Sequence, residues 1–281
     1  MKVFTTIAEM QREILTEKQK GKTIGFVPTM GFLHEGHIGL LKKARQENDI
    51  LVLSIFVNPL QFGPSEDLDA YPRDFEKDRQ IAIQEKTDYI FFPSVDEMYS
   101  TSPSVGVIAK ERVNVLCGKS RPGHFDGVVT VLTKLFNIIQ PTRVYFGLKD
   151  AQQVAVVDGL IKDFHFPVQL KAIETVRESD GLAKSSRNVN LTPEERRQAA
   201  ELYRALELGR SLIKKGETDR LKLIQTIESH LKKTTESTVD YIELYTYPDL
   251  KPIEEIKGKV ILALAVKFSK VRLIDNIIVD I

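Results

Sequence analysis

The chain has 281 residues, 42% of them hydrophobic and 28% charged, and its 40 Lys and Arg nearly balance 39 Asp and Glu, giving a net charge of +1. This balance excludes a strongly basic surface for nucleic acid or an anionic membrane, so any anion binding must be local. The single cysteine excludes an intrachain disulfide framework, and there is no long apolar signal or transmembrane segment, so we expect a cytoplasmic protein.

The first predicted elements are a short strand over Lys2–Phe4 and a helix that Thr5 or Thr6 caps and that ends near Lys20, before Gly21. A β-branched, apolar strand follows from Thr23 to Val27. Because domains contain roughly 150 residues, the length of the chain favours two of them.

The stretch after this strand carries the first functional signal. Gly31 and Gly36 allow a close approach of the backbone, and a helix with apolar residues at helical spacing is predicted from His37. His34 and His37 would then lie at the helix N-terminus, where amide N–H groups and the helix dipole favour an anion. The pattern predicts a phosphate site.

Two other interpretations of the histidines stay open at this point. Zinc ligation is disfavoured, since His34-Glu35-Gly36-His37 lacks the i, i+4 spacing of H-E-x-x-H and Cys117 is the chain's single cysteine. Capping or core histidines are the other alternative.

The next apolar run, Asp49–Asn58, is typical of a strand buried on both faces, which makes a βαβ unit and a parallel sheet. Ligands of such sheets bind at the carboxyl ends of strands, so we expect Thr29–His37 and the segment with Asn58 and Gln61 on one edge.

The following predictions, in chain order, are a loop into a solvated helix (65–80), a strand (88–93), an irregular stretch (94–104), a polar loop with Lys119, Arg121, His124 and Asp126 (118–127), a helix (128–139), a strand (143–146), a polar edge segment (147–153) and a strand (168–174).

A second anion signal lies in Lys184-Ser185-Ser186-Arg187, which places two cations and two hydroxyls in four residues. Arg binds phosphate through two N–H groups and Lys acts as a point charge, although a short basic loop can also be solvated surface.

The composition then changes to helices and a small sheet. Thr192, Pro193 and Glu195 predict a capped helix to about Lys215, and a second helix ends near Lys233. Three strands follow at 239–245, 260–266 and from 271 to 275 or slightly beyond, and they are predicted to be antiparallel. We therefore predict an α/β fold with a Rossmann-like parallel-sheet domain over residues 1–176 and a smaller α+β lid domain over residues 177–281.

With these residues laid out, the chain resembles the pantothenate synthetases, the pantoate–β-alanine ligase family of the HIGH-motif nucleotidylyltransferase superfamily. The resemblance covers nearly the whole length and rests on matching segments at 28–31, 34–37, 56–62, 121–125, 146–147, 149–150, 152–153, 180–183, 185–188 and 272–276. Three positions depart from the expected pattern: Leu148 replaces Glu, Ala151 replaces an aromatic residue, and Lys184 replaces Met.

The resemblance implies ATP-dependent condensation of (R)-pantoate with β-alanine through a pantoyl adenylate, releasing AMP and pyrophosphate. It further implies Mg²⁺ and a homodimer, while the balanced charge predicts no nucleic-acid or membrane partner. His34, His37 and Lys149 would be catalytic, with His37 as proton donor, Gln61 and Gln153 would bind pantoate, and Gln61 would also face β-alanine.

The implied ATP site is larger. Val176 would contact the adenine side, Lys184 adds a cation near the phosphates, and Asp150 would meet magnesium or the nucleotide. The full set is Met30, Gly31, Phe32, Leu33, His34, Glu35, Gly36, His37, Gly147, Leu148, Lys149, Asp150, Val176, Lys184, Ser185, Ser186 and Arg187.

Two alternatives to the ligase remain. A nucleotidylyltransferase of the same superfamily would transfer AMP or CMP to a phosphate and stop there. A non-catalytic nucleotide-binding protein would bind ATP without releasing pyrophosphate.

Overall fold

A computed structural model describes residues 1–63, 68–69, 71–99 and 103–281. Its strands are β1 (Lys2–Phe4), β2 (Ile24–Thr29), β3 (Ile50–Ile55), β4 (Tyr89–Phe91), β5 (Arg143–Gly147), β6 (Gln169–Ile173), β7 (Thr238–Thr246), β8 (Lys259–Lys267) and β9 (Arg272–Asp280). Its helices are α1 (Ile7–Gln19), α2 (Glu35–Glu47), α3 (Phe75–Gln84), α4 (Val95–Met98), α5 (Leu116–Lys119), α6 (His124–Ile139), α7 (Ala151–Asp163), α8 (Pro193–Ala199), α9 (Glu201–Lys214) and α10 (Arg220–Thr234).

The chain forms two compact units. The first contains Met1–Glu111, Ser120–Leu148 and Val156–Glu174, and the second contains Arg112–Lys119, Lys149–Ala155 and Thr175–Ile281. The domain boundary at residues 176 and 177 stays a prediction. Within the described residues, no helix is long and apolar enough to cross a membrane.

The first unit is built on a parallel sheet. Within the described ranges, six strands join in the order β1-β4-β3-β2-β5-β6, and every neighbouring pair is parallel. The central strands β3 and β4 are buried at every residue, as their unbroken apolar runs predict. Together with the three-stranded antiparallel sheet of the second unit, this confirms the predicted fold class.

The strand order reverses next to β2. From β2 the chain passes to β3 on one side, and β5 lies on the other, so the loops after β2 and β5 leave the sheet at the point of reversal. Ligands of open α/β sheets bind at such a switch point. The topology therefore predicts a ligand site at the loop after Thr29 and at Gly147.

Strand β2 is longer than predicted, since it continues through Pro28 to Thr29. Pro28 has no N–H to donate, but among the described residues β2 pairs with β5 only at Gly25 and Phe26. Beyond Phe26 that side of β2 has no ladder for Pro28 to interrupt.

Three other elements also differ from the predictions. The helix expected from His37 begins at Glu35, and α6 begins at His124 instead of Val128. The stretch predicted as irregular contains α4, which Ser94 caps by accepting from the Glu97 N–H at 3.1 Å. The predictions for residues 65–67, 70 and 100–102 lie outside the described residues.

The second unit packs helices α9 and α10 on the antiparallel sheet β7-β8-β9. The helix predicted from Pro193 to Lys215 is interrupted at Ala200 and forms α8 and α9. The predicted capping box is present, with Thr192 and Glu195 each accepting the other's backbone N–H.

Candidate active site

The turn after β2 is held by a buried carboxylate that sequence reasoning missed. Asp78 of α3 is 1% exposed and accepts the backbone N–H groups of Phe32 at 2.8 Å and Leu33 at 2.7 Å. Phe32 has a φ of 52°, and Gly31 has a φ of 83°. A Cβ on Gly31 would lie 2.9 Å from Asp78 Oδ2, so this position requires glycine.

Replacement of Asp78 by alanine is expected to lower the free energy of unfolding by about 2–4 kcal/mol, because it leaves two amide donors unsatisfied. It should also raise the KM for ATP, since Phe32 and Leu33 belong to the predicted ATP site. Chemical denaturation and steady-state kinetics measure the two effects. Asp74→Ala is the control: Asp74 caps the same helix through the Lys77 N–H at 3.1 Å, so its loss should cost about 1 kcal/mol and leave the KM unchanged.

The pH dependence of this effect has a definite sign. Burial raises the pKa of Asp78, even though the two N–H donors act in the opposite direction. When folding raises the pKa of a carboxyl, the stabilisation that this group contributes to the folded protein decreases as the pH rises through the raised pKa. The stability advantage of the wild type over Asp78→Asn should therefore be smaller at pH 7 than near the ordinary carboxyl pKa. If the wild type were more stable than Asp78→Asn by the same free energy at both pH values, the raised pKa of Asp78 would be contradicted.

The two predicted histidines form the cap of helix α2. His34 Nδ1 accepts the Gly36 N–H at 3.1 Å, His37 Nδ1 accepts the His34 N–H at 3.3 Å, and the ring centroids are 4.1 Å apart. Since both Nδ1 atoms act as acceptors, the ring proton of each neutral imidazole is on Nε2. A Cβ on Gly36 would lie 2.8 Å from His34 Cε1, so glycine leaves room for this ring. The geometry provides two Nε2–H donors beside a helix N-terminus.

Gln61 is oriented by a buried amide after β3. Asn58, 1% exposed, donates from Nδ2 to Gln61 Oε1 at 2.9 Å and to the Gly127 carbonyl at 3.0 Å. Its Oδ1 accepts from the Tyr99 hydroxyl at 2.9 Å, which fixes the amide orientation. Because the side-chain oxygen Oε1 of Gln61 already accepts a hydrogen bond from Asn58, the side-chain nitrogen Nε2 is the end of the amide that can donate to a ligand.

The backbone of Gln61 is held from the start of α6. Arg121 Nη1 lies 3.0 Å from His124 Nε2, and His124 Nδ1 lies 2.8 Å from the Gln61 carbonyl. As Arg only donates, His124 accepts at Nε2 and donates from Nδ1. Arg121 and His124 of the predicted polar loop thus support Gln61 within the first unit.

The segment after β5 carries the predicted Lys149, Asp150 and Gln153 in the second unit. Lys149 Nζ lies 3.6 Å from Asp150 Oδ1, and their side chains are 19% and 52% exposed. Gln153 is partly buried in the first turn of α7. Gln152 is buried and donates to the carbonyls of Arg112 at 2.9 Å and Val115 at 2.7 Å, so it supports the fold of the second unit.

Residues Lys184–Arg187, called the serine loop below, directly follow a small hairpin in the same unit. Lys184 N–H donates to the Val176 carbonyl at 2.9 Å, and Lys184 Nζ pairs with Glu178 at 2.8 Å. Ser185 Oγ accepts the Arg187 N–H at 3.2 Å and caps a 3₁₀ turn over Ser186–Asn190, while the Arg187 side chain is exposed. Any phosphate that Lys184 binds would share its ammonium group with Glu178.

The structure thus brings the predicted residues together in two groups. In the first unit Met30–His37, Gln61, Gly147 and Leu148 lie at or directly after the carboxyl ends of neighbouring parallel strands. The second group, Lys149–Gln153 and the segment from Val176 to Arg187, belongs to the second unit. Asp78, Asn58 and Tyr99 support the first group, and no local motif marks Asp78 or Tyr99.

Comparisons with known proteins agree on one family. A family model described as pantoate-beta-alanine ligase matches residues 2–278. The chain is 61% identical to the pantothenate synthetase of Geobacillus sp. (strain WCH70) over 281 residues, which is 100% of both chains. It is 57% identical to that of Bacillus subtilis (strain 168) over 281 residues, covering 100% of this chain and 98% of the relative.

Two solved structures are similar to the present one. The pantothenate synthetase from Thermus thermophilus has a TM-score of 0.92 at 42% identity, with 99% of each chain covered. The pantoate-beta-alanine ligase from Francisella tularensis, complexed with beta-gamma ATP and beta-alanine, has a TM-score of 0.79 at 36% identity, covering 99% of this chain and 97% of the other.

Proposed function

Because this chain belongs to the pantoate–β-alanine ligase family, we propose that it condenses pantoate with β-alanine in an ATP-dependent reaction. The observation that carries the proposal is the family match over residues 2–278. The Francisella tularensis relative with ATP and β-alanine in its complex supports both of these substrates.

The chemistry requires two steps, since a carboxylate does not acylate an amine at neutral pH. In the first, the pantoate carboxylate attacks the α-phosphorus of ATP and pyrophosphate leaves. In the second, the β-alanine amine attacks the acyl carbon, AMP leaves and the nitrogen loses a proton. Negative charge develops on phosphate oxygens, so positioned cations and N–H donors accelerate the reaction.

In the first unit the histidine cap is proposed to bind ATP phosphates. The Nε2–H groups of His34 and His37 and the N-terminus of α2 combine directed donors with a positive dipole end. The rest of the ATP site there consists of Met30, Gly31, Phe32, Leu33, Glu35, Gly36, Gly147 and Leu148. Gly31 leaves room for the Asp78 carboxylate, and Gly36 leaves room for the His34 ring, at positions that a Cβ would crowd.

In the second unit the proposed phosphate ligands are cations and hydroxyls. Lys149 supplies a point charge, Arg187 a two-pronged donor, and Ser185 and Ser186 supply hydroxyls. Lys184 and Val176 complete the set, with Val176 on the adenine side.

The proposed pantoate ligands are Gln61 and Gln153, and Gln61 is also assigned to β-alanine. An amide binds hydroxyls and carboxylates without adding charge, which suits a site that must hold an anion next to a triphosphate. The hydrogen bond from Asn58 supports the assignment of Gln61, because it fixes which end of the amide is presented.

Mg²⁺ is proposed to enter with the nucleotide. Among the described residues no group of three or more His, Cys, Asp or Glu side chains is placed to hold a metal. This donor set fits Mg²⁺ that takes its ligands mainly from phosphates and water, with the half-exposed Asp150 carboxylate as the protein ligand. When bound, Mg²⁺ neutralises phosphate charge.

A homodimer in the cytoplasm is the remaining part of the proposal. The homodimer is carried over from the family, and light scattering tests it directly. The cytoplasmic location is supported by the single cysteine of the sequence, which suits a reducing compartment.

The deciding experiment measures pyrophosphate release from ATP and Mg²⁺ with (R)-pantoate, with and without β-alanine. Catalytic release that needs both substrates and produces pantothenate is the expected result. A stable dinucleotide product would identify a nucleotidylyltransferase instead. ATP binding without pantoate-dependent release would identify a non-catalytic nucleotide-binding protein.

A further inference from the structure

Strand β9 carries two buried polar residues that the proposed reaction leaves without a role. Asp275 and Asn276 are 2% and 8% exposed and pair in register with Leu264 and Ala263 of β8. Burial of polar groups in a small apolar sheet is costly unless each finds a hydrogen-bond partner. Their partners therefore indicate what the two side chains are for.

Asn276 reaches the segment that carries Lys149. Its Nδ2 donates to the Lys149 backbone carbonyl at 2.9 Å. This bond fixes the backbone at the 3₁₀ turn Leu148–Asp150, and so it fixes the point from which the Lys149 side chain extends. A long side chain on an unsupported turn would not deliver its Nζ to one place.

Asp275 reaches the base of the serine-loop hairpin. Its two carboxylate oxygens accept from Arg177 Nη1 at 2.7 Å and Nη2 at 3.0 Å, and Oδ1 also accepts the Asn276 N–H at 2.8 Å. A bidentate pair of this kind fixes direction as well as distance. The Arg177 guanidinium also lies 3.8 Å from the centre of the Tyr203 ring.

Arg177 in turn orders the hairpin. Its Nη1 donates to the Gly181 carbonyl at 3.0 Å, and its backbone forms an antiparallel bridge with Ala183, directly before Lys184. The chain of contacts thus runs from the serine loop through Arg177, Asp275 and Asn276 to Lys149, entirely within the second unit.

We propose that Arg177, Asp275 and Asn276 are positioning residues. They hold Lys149 and the Lys184–Arg187 loop in a fixed position relative to each other, so that both bind the same triphosphate. The proposal rests on the function proposed above. None of the three is assigned a contact with substrate. Their effect passes through the placement of the phosphate ligands, where a displacement of 1 Å can cost about 10²-fold in rate.

The test replaces Asn276 by alanine and by leucine, which is close to it in size and removes only the polar group. Both variants are expected to lower kcat about 10- to 100-fold, with the KM for β-alanine within about 2-fold of wild type. Ile277→Val is the matched control: it trims the adjacent core side chain of β9, so it should lower the unfolding temperature by a few degrees and leave kcat unchanged.

A double-mutant cycle separates positioning from general stability. If Asn276 acts through Lys149, then Asn276→Ala should change the rate less than about 2-fold in a Lys149→Ala background. The same fold loss in both backgrounds, or a normal kcat in both Asn276 variants, would overturn the positioning role. Failure of the ligase assignment is distinct, because it would appear in the wild-type chain as absent pantoate-dependent pyrophosphate release.

Discussion

Replacement of Lys149 by alanine is expected to lower kcat for pantothenate formation about 10²-fold or more, equivalent to about 3 kcal/mol of transition-state stabilisation. The physical reason is that pyrophosphate leaves with additional negative charge. An ammonium group held on a turn that Asn276 fixes can stabilise that charge without reorganising. Its side chain is 19% exposed, so water screens it less than it would a surface lysine.

The rate of pantoate-dependent pyrophosphate release measures this effect on the first step. Lys162→Ala is the control, because Lys162 lies on α7, is exposed, and pairs with Asp158 at 2.8 Å. It should change the rate less than about 2-fold, as a surface ion pair contributes little. Near-normal turnover of Lys149→Ala would show that its assigned role is wrong.

The fold could be predicted because its signals are local or periodic. The continuous apolar run of β3 and the glycine-punctuated turn before α2 predict a parallel sheet with a ligand edge, and the helix cap at Thr192 is a local motif. The break at Ala200 carries no such signal, since alanine is a good helix former.

The support of the site could not be predicted in the same way. Asp78 lies in a charge-dense segment that is typical of a solvated helix, and only the tertiary fold shows that it is buried under the turn at Phe32 and Leu33. Likewise, the Asp275–Asn276 pair belongs to a matching segment, but its partners Arg177 and Lys149 lie 98 and 127 residues away in the sequence. Hydrogen bonds between polar groups that lie far apart in the sequence produce no periodic pattern in it.

The histidine pair lies between these cases. The sequence predicts both His34 and His37 at the start of a helix, and the structure places them there. What the sequence does not contain is the reciprocal cap, in which both Nδ1 atoms accept backbone N–H groups. That cap gives each ring two separable tasks: Nδ1 stabilises the helix, and Nε2 is proposed to donate to phosphate.

Two substitutions of His37 separate these tasks. In His37→Asn the side-chain oxygen takes the place of Nδ1 but nothing replaces Nε2, so we expect near-wild-type stability and a loss of about 10²- to 10³-fold in kcat. In His37→Gln the amide nitrogen can reach the Nε2 position while the Nδ1 acceptor is lost. We expect a smaller loss of rate, about 10-fold, and a loss of about 1 kcal/mol in the free energy of unfolding.

Steady-state kinetics and urea unfolding of the two variants measure these opposite patterns. A uniform fall in both activity and stability would mean that the imidazole acts as a single structural unit. Full activity in His37→Asn would remove Nε2 from the mechanism. We predict that His37→Asn is the more stable and slower variant and that His37→Gln is the faster and less stable one. A single role of the ring would lower kcat and the free energy of unfolding in the same order in both variants. The opposite order therefore requires that one ring nitrogen stabilises the helix and the other acts on the phosphates.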